Sequence, residues 1–195
     1  MPATEKPRAR YVRLSSEDRR LALVEAALAC IAEGGIRAFT VDRICDKAQV
    51  SRGLVTHHFG SMDALLAALY DHLYSTFLPP PADQGILALL DHLFAPAAFN
   101  REWLNIWLTM WSEISNTPEL RAVHRAHYRD YQVRVAAAIA RSAPRPVDTM
   151  TLAARLICLI DGLSLQHCID PESLPATAAR QSCLDLLTPH TGPLE

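Results

Sequence analysis

Glycine is scarce, with 7 residues in a chain of 195. No phosphate-cradling glycine loop is present, which argues against loop-based nucleotide chemistry. H-E-x-x-H and G-x-S-x-G are also missing, so the familiar metalloprotease and hydrolase signatures are excluded. The 5 cysteines (Cys30, Cys45, Cys158, Cys168 and Cys183) are scattered, odd in number, and form no C-x-x-C pair. They read as reduced, mostly buried thiols of a cytosolic protein, with redox sensing as the alternative. No apolar run approaches the ~20 residues of a membrane span. The opening MPATEKPRARYVRL is basic and lacks the apolar core of a signal peptide. A cytoplasmic address and no membrane partner are therefore expected. No strand alternation and no internal repeat is found.

What the chain has is helix pattern and apolar residues, 50% of the total. That is enough for a sizeable core in one large or two small domains. The formal net charge of −2 argues nothing for a polyanionic partner. Its distribution says more. Residues 1–60 carry ten Lys/Arg against seven Asp/Glu, and the remainder carries nine against fourteen. The basic end is the end suited to meet phosphates.

That basic end contains TVDRICDKAQVSRGLVTHHF, from Thr40 to Phe59. It predicts two short helices joined by a tight turn. Val41, Ile44, Cys45 and Ala48 recur at i, i+3, i+4, i+7 and give the first an apolar face. Thr40 stands where its N-cap belongs. Ala48-Gln49-Val50 breaks the pattern, and Ser51 is a second N-cap candidate. Leu54, Val55 and Phe59 turn inward on the second helix. Ser51, Arg52, Gly53, Thr56 and His57 are left outside. All are small or hydrogen-bonding and none is acidic, as a helix entering a DNA major groove requires.

SRGLVTHHFGSMDAL resembles the recognition helix and following turn of the TetR family of bacterial repressors. Ser51, Gly53, His58, Phe59 and Leu65 match that family's pattern. RRLALVEAALACIAEGGIRAFTVDRI resembles the helix before it. The resemblance implies a helix-turn-helix unit, with Thr40, Ser51, Arg52, Gly53, Thr56, His57 and His58 as the DNA-binding set. Two positions depart from the pattern. Gln49 stands where the family usually has Gly, at a position favouring φ > 0, which costs roughly 1 kcal/mol. Met62 stands where the family has a phosphate-binding Lys.

Taken in order, residues 1–15 form a basic tail, either solvated or an arm against the DNA backbone. The first helix begins at Ser15 or Ser16 with a Ser15-x-x-Asp18 capping box, buries Leu21, Val24, Leu28 and Ile31, and ends at Gly34-Gly35. Residues 16–60 complete the DNA-binding domain. Residues 61–81 are a connecting helix lined by Leu65, Leu66, Leu69, Leu73 and Phe77, stopped by Pro79-Pro80-Pro81. Its position suggests that it carries signals between the two halves. Residues 82–195 make the second domain. Its helices are expected over Ile86–Phe94, after the cap Asn100, from Thr117-Pro118-Glu119 to about Ser142, over 148–169, and over 175–187. The helix over 148–169 shows two apolar faces, one with Leu152, Leu156, Leu159 and Leu163, the other with Ala153, Ile157, Ile160 and Ser164. One should face the core and the other a second subunit.

Within this half, WLNIWLTMWSEISNTPELRAVHRAHYRDY and LICLIDGLSLQ resemble the C-terminal domain of the BetI-type branch, which governs choline-to-glycine-betaine genes. Trp103, Trp107 and Trp111 recur every four residues, as a core stripe or as an aromatic wall for a cation. Asp161 lies mid-helix among apolar residues. It either pairs with Arg155 or another cation, joins a hydrogen-bond network, or balances a ligand charge. His124 and His127 sit at i, i+3, a spacing compatible with metal ligands but completed by no third group.

The expected molecule is all-α with about nine helices. An N-terminal helix-turn-helix domain is followed by an effector-binding and dimerisation domain. It is a homodimeric repressor of double-stranded operator DNA, with no cofactor and no enzymatic activity. A small effector such as choline would release it from DNA, with Trp107, Trp111, Asp161 and Trp103 as the ligand-binding candidates. The alternatives are a small metal-dependent enzyme using His124 and His127, or a related regulator sensing an unrelated apolar ligand.

Overall fold

Serine, threonine, asparagine and aspartate side chains start most of the helices. In the computed structural model, which describes residues 15–77, 84–144 and 146–194, nine α-helices and one 3₁₀ turn follow one another, and no strand occurs among the described residues. The helices are α1 (Ser16–Gly34), α2 (Val41–Ala48), α3 (Arg52–Phe59), α4 (Met62–Thr76), α5 (Gly85–Leu93), α6 (Arg101–Ile114), α7 (Pro118–Ser142), α8 (Thr149–Ile169) and α9 (Ala176–Thr191), with the 3₁₀ turn at Gly35–Ala38. The basic tail and the Pro79–Pro81 break expected from the sequence lie outside the described residues.

The capping box of α1 is present in both directions, each bond 3.0 Å long: Ser15 Oγ accepts from the Asp18 amide, and the Ser15 amide donates to the Asp18 carboxylate. Ser61, Asn100 and Asp148 accept from backbone N–H groups in the first turns of α4, α6 and α8. Each satisfies a donor that the helix cannot satisfy itself. At α7, Pro118 occupies the first turn, where its missing N–H costs nothing. A tertiary contact serves α5 instead: Ser142, at the end of α7, accepts from the Ile86 amide at 2.9 Å.

Two apolar clusters organise the packing. The first gathers Leu23, Ile31, Ile44, Val55 and Leu69 from α1 to α4. The second gathers Leu90, Ile139, Leu156 and Leu187 from α5, α7, α8 and α9. α4 packs against both α1 and α7, as its position suggested. α6 is a second bridge that the sequence did not announce. Its Ile106 and Met110 belong to the first cluster, while Leu104 belongs to the second.

Four expectations are corrected. Leu21 is 42% exposed, because Leu23, Ala27, Cys30 and Ile31 form the stripe that faces the core. α9 runs past Leu187 to Thr191, with Pro189 inside its last turn, where few backbone bonds remain to be lost. α8 is long and apolar enough to cross a membrane by length and composition, against the expectation that no such run exists. Its apolar residues are used differently. Leu152, Leu156, Ala153, Ile157 and Ile160 are all buried within the chain's own second cluster. Ile160 is therefore not the outward residue that the two-face pattern allowed, while Leu159 and Leu163 of the other face are half-buried against the same cluster. The exposed line of α8 is a third one, through Cys158, Gly162, Leu165 and Ile169.

Candidate functional site

The first candidate region is the α2–α3 hairpin. Thr40 caps α2, its hydroxyl 3.4 Å from the Arg43 amide. α2 ends in Gln49 at φ 55°, ψ 45°, the one non-glycine residue with positive φ among the described residues. Its side-chain amide donates to the Asp46 carbonyl at 2.7 Å, which partly offsets the strain of that conformation. Val55 anchors α3 in the core, with Leu54 and Phe59 half-buried beside it. Arg20 from α1 sits 5.0 Å from the centre of the Phe59 ring and fixes that end of α3.

Ser51, Arg52, Gly53, Thr56 and His57 are all exposed, on one continuous face. Ser51 holds the N-cap position of α3, but its hydroxyl makes no capping bond. The first turn of α3 thus presents unsatisfied N–H groups and a free hydroxyl outward. A Cβ built on Gly53 would meet nothing within 4 Å. Arg52 is ion-paired with Asp42 of α2, a partner invisible from the recognition-helix stretch alone. His58 differs from its neighbour. It is half-buried, and burial holds its pKa below the usual histidine value, followed by the positive charges around it. Met62 begins α4 half-buried against the first cluster.

The second region is a cavity of about 570 Å³ between α4, α5, α6, α7 and α8. Trp107 and Trp111 line it, and Trp103 does not. Trp103 packs instead on Phe77, ring centres 4.2 Å apart. All three pack against the first cluster, and the drift of the stripe around α6 brings Trp107 and Trp111 to the opening as well. Tyr70 and Tyr74 of α4 stand edge-on to Trp107 at 5.7 and 5.5 Å. Tyr128 and Tyr131 of α7 close the wall. These four tyrosines were not singled out in the sequence. Their signal was there, as phenols at i, i+4 on α4 and i, i+3 on α7, each pair on one helix face.

Asp161 projects from α8 into this aromatic enclosure. The alternatives for it now separate. No ion pair with Arg155 forms. Arg155 lines a different cleft with Asp148 and His190. Burial alone raises the Asp161 carboxyl, to a pKa of about 6, with no hydrogen bond or cation lowering it. Asp161 is half-buried, a carboxylate held partly out of water without a partner is costly, and a bound cation would supply the missing charge. The phenols of Tyr70, Tyr74, Tyr128 and Tyr131 are all held above their ordinary pKa, chiefly by burial, and each also feels Asp161.

His124 and His127 are committed elsewhere. Tyr70 Oη and His124 Nδ1 share a hydrogen bond of 2.8 Å. His127 Nε2 lies 2.8 Å from Asp71 Oδ1, its ring stacked on Tyr74 at 4.4 Å. Both tie α7 to α4. No cluster of three metal-capable side chains forms among the described residues.

Comparison with known proteins agrees with both regions. "Bacterial regulatory proteins, tetR family" matches residues 23–69, and "BetI-type transcriptional repressor, C-terminal" matches residues 82–190. The chain belongs to the TetR family of bacterial regulatory proteins, with a C-terminal domain of the BetI type. An HTH-type transcriptional regulator BetI 1 from Chromohalobacter salexigens is 29% identical over 178 residues, 86% of this chain and 87% of the relative. BetI of Burkholderia mallei is 29% identical over 88% of this chain and 92% of its own length. These relatives are transcriptional regulators, not enzymes, and the metal-enzyme alternative finds no support among them. A transcriptional-regulator structure from Pseudomonas aeruginosa PAO1 superposes with a TM-score of 0.79, at 26% identity over 92% of this chain and 93% of that one. A structure from Saccharomonospora viridis in complex with choline superposes at 0.70, with 24% identity over 89% and 96%.

Proposed function

We propose that this chain is a cytoplasmic, homodimeric repressor that leaves its operator when a small quaternary ammonium compound, with choline the simplest case, enters the cavity. The observation that carries the effector reading is Asp161, a carboxylate without a partner among the described residues inside an aromatic enclosure. Indole and phenol faces attract a trimethylammonium group through the ring quadrupole, worth on the order of 0.5–2 kcal/mol per contact. Asp161 supplies the counter-charge. The choline complex of the S. viridis neighbour supports the same ligand class.

In this reading Arg52, Thr56 and His57 face the major groove, Ser51 and Thr40 face phosphates, and Gly53 leaves room for the DNA backbone. Arg52 exchanges Asp42 for the operator on binding. His58 acts from behind, packed toward Phe59. The exposed line of α8, with Leu165 40% and Ile169 65% exposed, is the apolar surface offered to a second copy. Two copies would then place their α3 helices in half-sites one helical turn apart, ~34–36 Å between centres. The domain limits follow as 16–60 for DNA reading, 61–81 for the connection and 82–195 for effector and partner.

Titration with choline tests the effector. Tryptophan fluorescence should be quenched and operator affinity should fall, and Trp107→Ala should remove both responses while the dimer persists. No response to millimolar choline rejects the ligand. Arg52→Ala should weaken operator binding by ~1–3 kcal/mol, and unchanged affinity at the same salt would reject the groove assignment.

A further inference from the structure

Asp161 accounts for the part of the cavity between α4, α7 and α8. Its charge is felt by the tyrosines of α4 and α7, which places it among Tyr70, Tyr74, Tyr128 and Tyr131. At the end of α5, His92 also lines the cavity, next to Leu93 and Phe94. Its Nε2 atom has no hydrogen-bond partner among the described residues and is turned away from the open space, out of reach of water. Buried polar atoms without partners are rare, and each calls for an explanation. The remaining lining includes the apolar Leu93, Phe94, Ala98, Phe99 and Leu104 and the hydroxyl residues Ser115 and Ser164.

Volume points the same way. A dry cavity of ~150 Å³ accepts a ligand of benzene size, and choline is only slightly larger. Choline therefore fills about a quarter of the 570 Å³ here. Cavities in this range enclose most of a drug-sized molecule.

We infer that the effector is an elongated cation: its ammonium head lies at Asp161, an apolar body lies along Phe94, Phe99 and Leu104, and an uncharged oxygen beyond that body draws the His92 ring round and pairs with its Nε2. This rests on the cation reading of the cavity. The far group is uncharged because no Lys or Arg among the described residues lines the cavity. A carboxylate there would be buried without a counter-charge. A neutral ester, ether or hydroxyl oxygen needs only the one hydrogen bond that His92 offers. The chemical class is thus long-chain quaternary ammonium esters and alcohols, and zwitterions are rejected.

Calorimetric titration of the full chain with four probes tests it: choline, butyrylcholine, n-heptyltrimethylammonium, and the uncharged isostere 3,3-dimethylbutyl butyrate. Butyrylcholine should bind at least about thirtyfold more tightly than choline, since each buried methylene contributes about fourfold. His92→Leu should weaken butyrylcholine relative to heptyltrimethylammonium by about fivefold, with choline affinity unchanged as the control for folding. Ala98→Phe should plug the apolar part, cancelling the advantage of the ester while choline still binds. If butyrylcholine binds no better than choline, the elongated effector is overturned and the cation reading survives. An unchanged ester preference in His92→Leu overturns the role of His92. If the variant fails to fold, an undiminished ester advantage in Ala98→Phe overturns the assigned part of the cavity. Equal binding of the uncharged isostere and butyrylcholine overturns the cation reading beneath both.

Discussion

Replacing Asp161 with Asn should make the empty protein more stable and the cavity useless to a cation. The carboxyl is raised from an ordinary aspartate value to about 6, by burial alone. A carboxyl whose folded pKa is raised binds its proton more tightly in the folded state than in the unfolded one. Its cost is therefore absent below about pH 4, grows as pH rises between the unfolded and folded values, and is complete above pH 6. A shift of roughly 2 units corresponds to about 3 kcal/mol at pH 8. Asn keeps the shape and loses the charge, so Asp161→Asn should gain up to that amount at pH 8 and almost nothing at pH 4. Urea unfolding at both pH values measures the gap. An unliganded variant less stable than wild type at pH 8, or a gap that does not narrow on acidification, would refute the account of Asp161 as a carboxylate without a partner. The same linkage fixes the sign of binding. Cation affinity should fall about tenfold per unit as pH drops below 6, because the ligand needs the ionised form.

Gly53→Ala should raise the stability of the free protein by ~0.4–1 kcal/mol, since the added methyl meets nothing and the unfolded chain loses freedom. It should also weaken operator binding at least tenfold, and undiminished binding would show that DNA does not approach Gly53. Ile169→Glu should yield a folded monomer in sedimentation, because Ile169 is 65% exposed in the single chain. Ile160→Glu should unfold the chain instead, and a dimer of normal mass from Ile169→Glu would move the interface off α8.

The DNA-reading hairpin was legible because its signals are local. Thr40, the turn at Gln49 and the inward Val55 are fixed by residues a few positions away. The left-handed conformation of Gln49 was implied by the resemblance, which places glycine at that position. Asp42 as the partner of Arg52 was not legible, since it comes from the neighbouring helix. The cavity was only half legible. Trp107 and Trp111 announced an aromatic stripe, but whether a stripe is core or wall depends on what stands opposite. Opposite stand Tyr70 and Tyr74, more than thirty residues earlier in the chain. The α8 pattern misled for a physical reason. A helix surrounded by α6, α7 and α9 buries two apolar lines in its own subunit. The apolar line left exposed is then a narrow third one, of Cys158, Gly162, Leu165 and Ile169.

Tyr70 is where ligand and DNA should meet energetically. α4 turns Leu65, Leu69 and Leu73 toward the DNA-reading cluster. The same helix sends Tyr70 and Tyr74 into the cavity wall. The Tyr70–His124 hydrogen bond then holds α4 to α7 at the cavity edge. An effector that rearranges this wall must move α4, and α3 rests on α4. Coupling of this kind is a difference in ligand affinity between two arrangements, and it is reciprocal. Tyr70→Phe keeps the ring and removes the hydroxyl, leaving the buried side of His124 without its partner. Losing one partner of such a bond costs about 1–3 kcal/mol. If the bond forms in only one arrangement, that amount appears in the coupling. The ratio of operator affinities with and without choline should change about 5- to 150-fold, while choline still binds. The reciprocal measurement, choline affinity with and without operator, must change by the same factor. A variant in which both ratios match wild type would show that the bond is equal in the two arrangements, and α4 would then move without it.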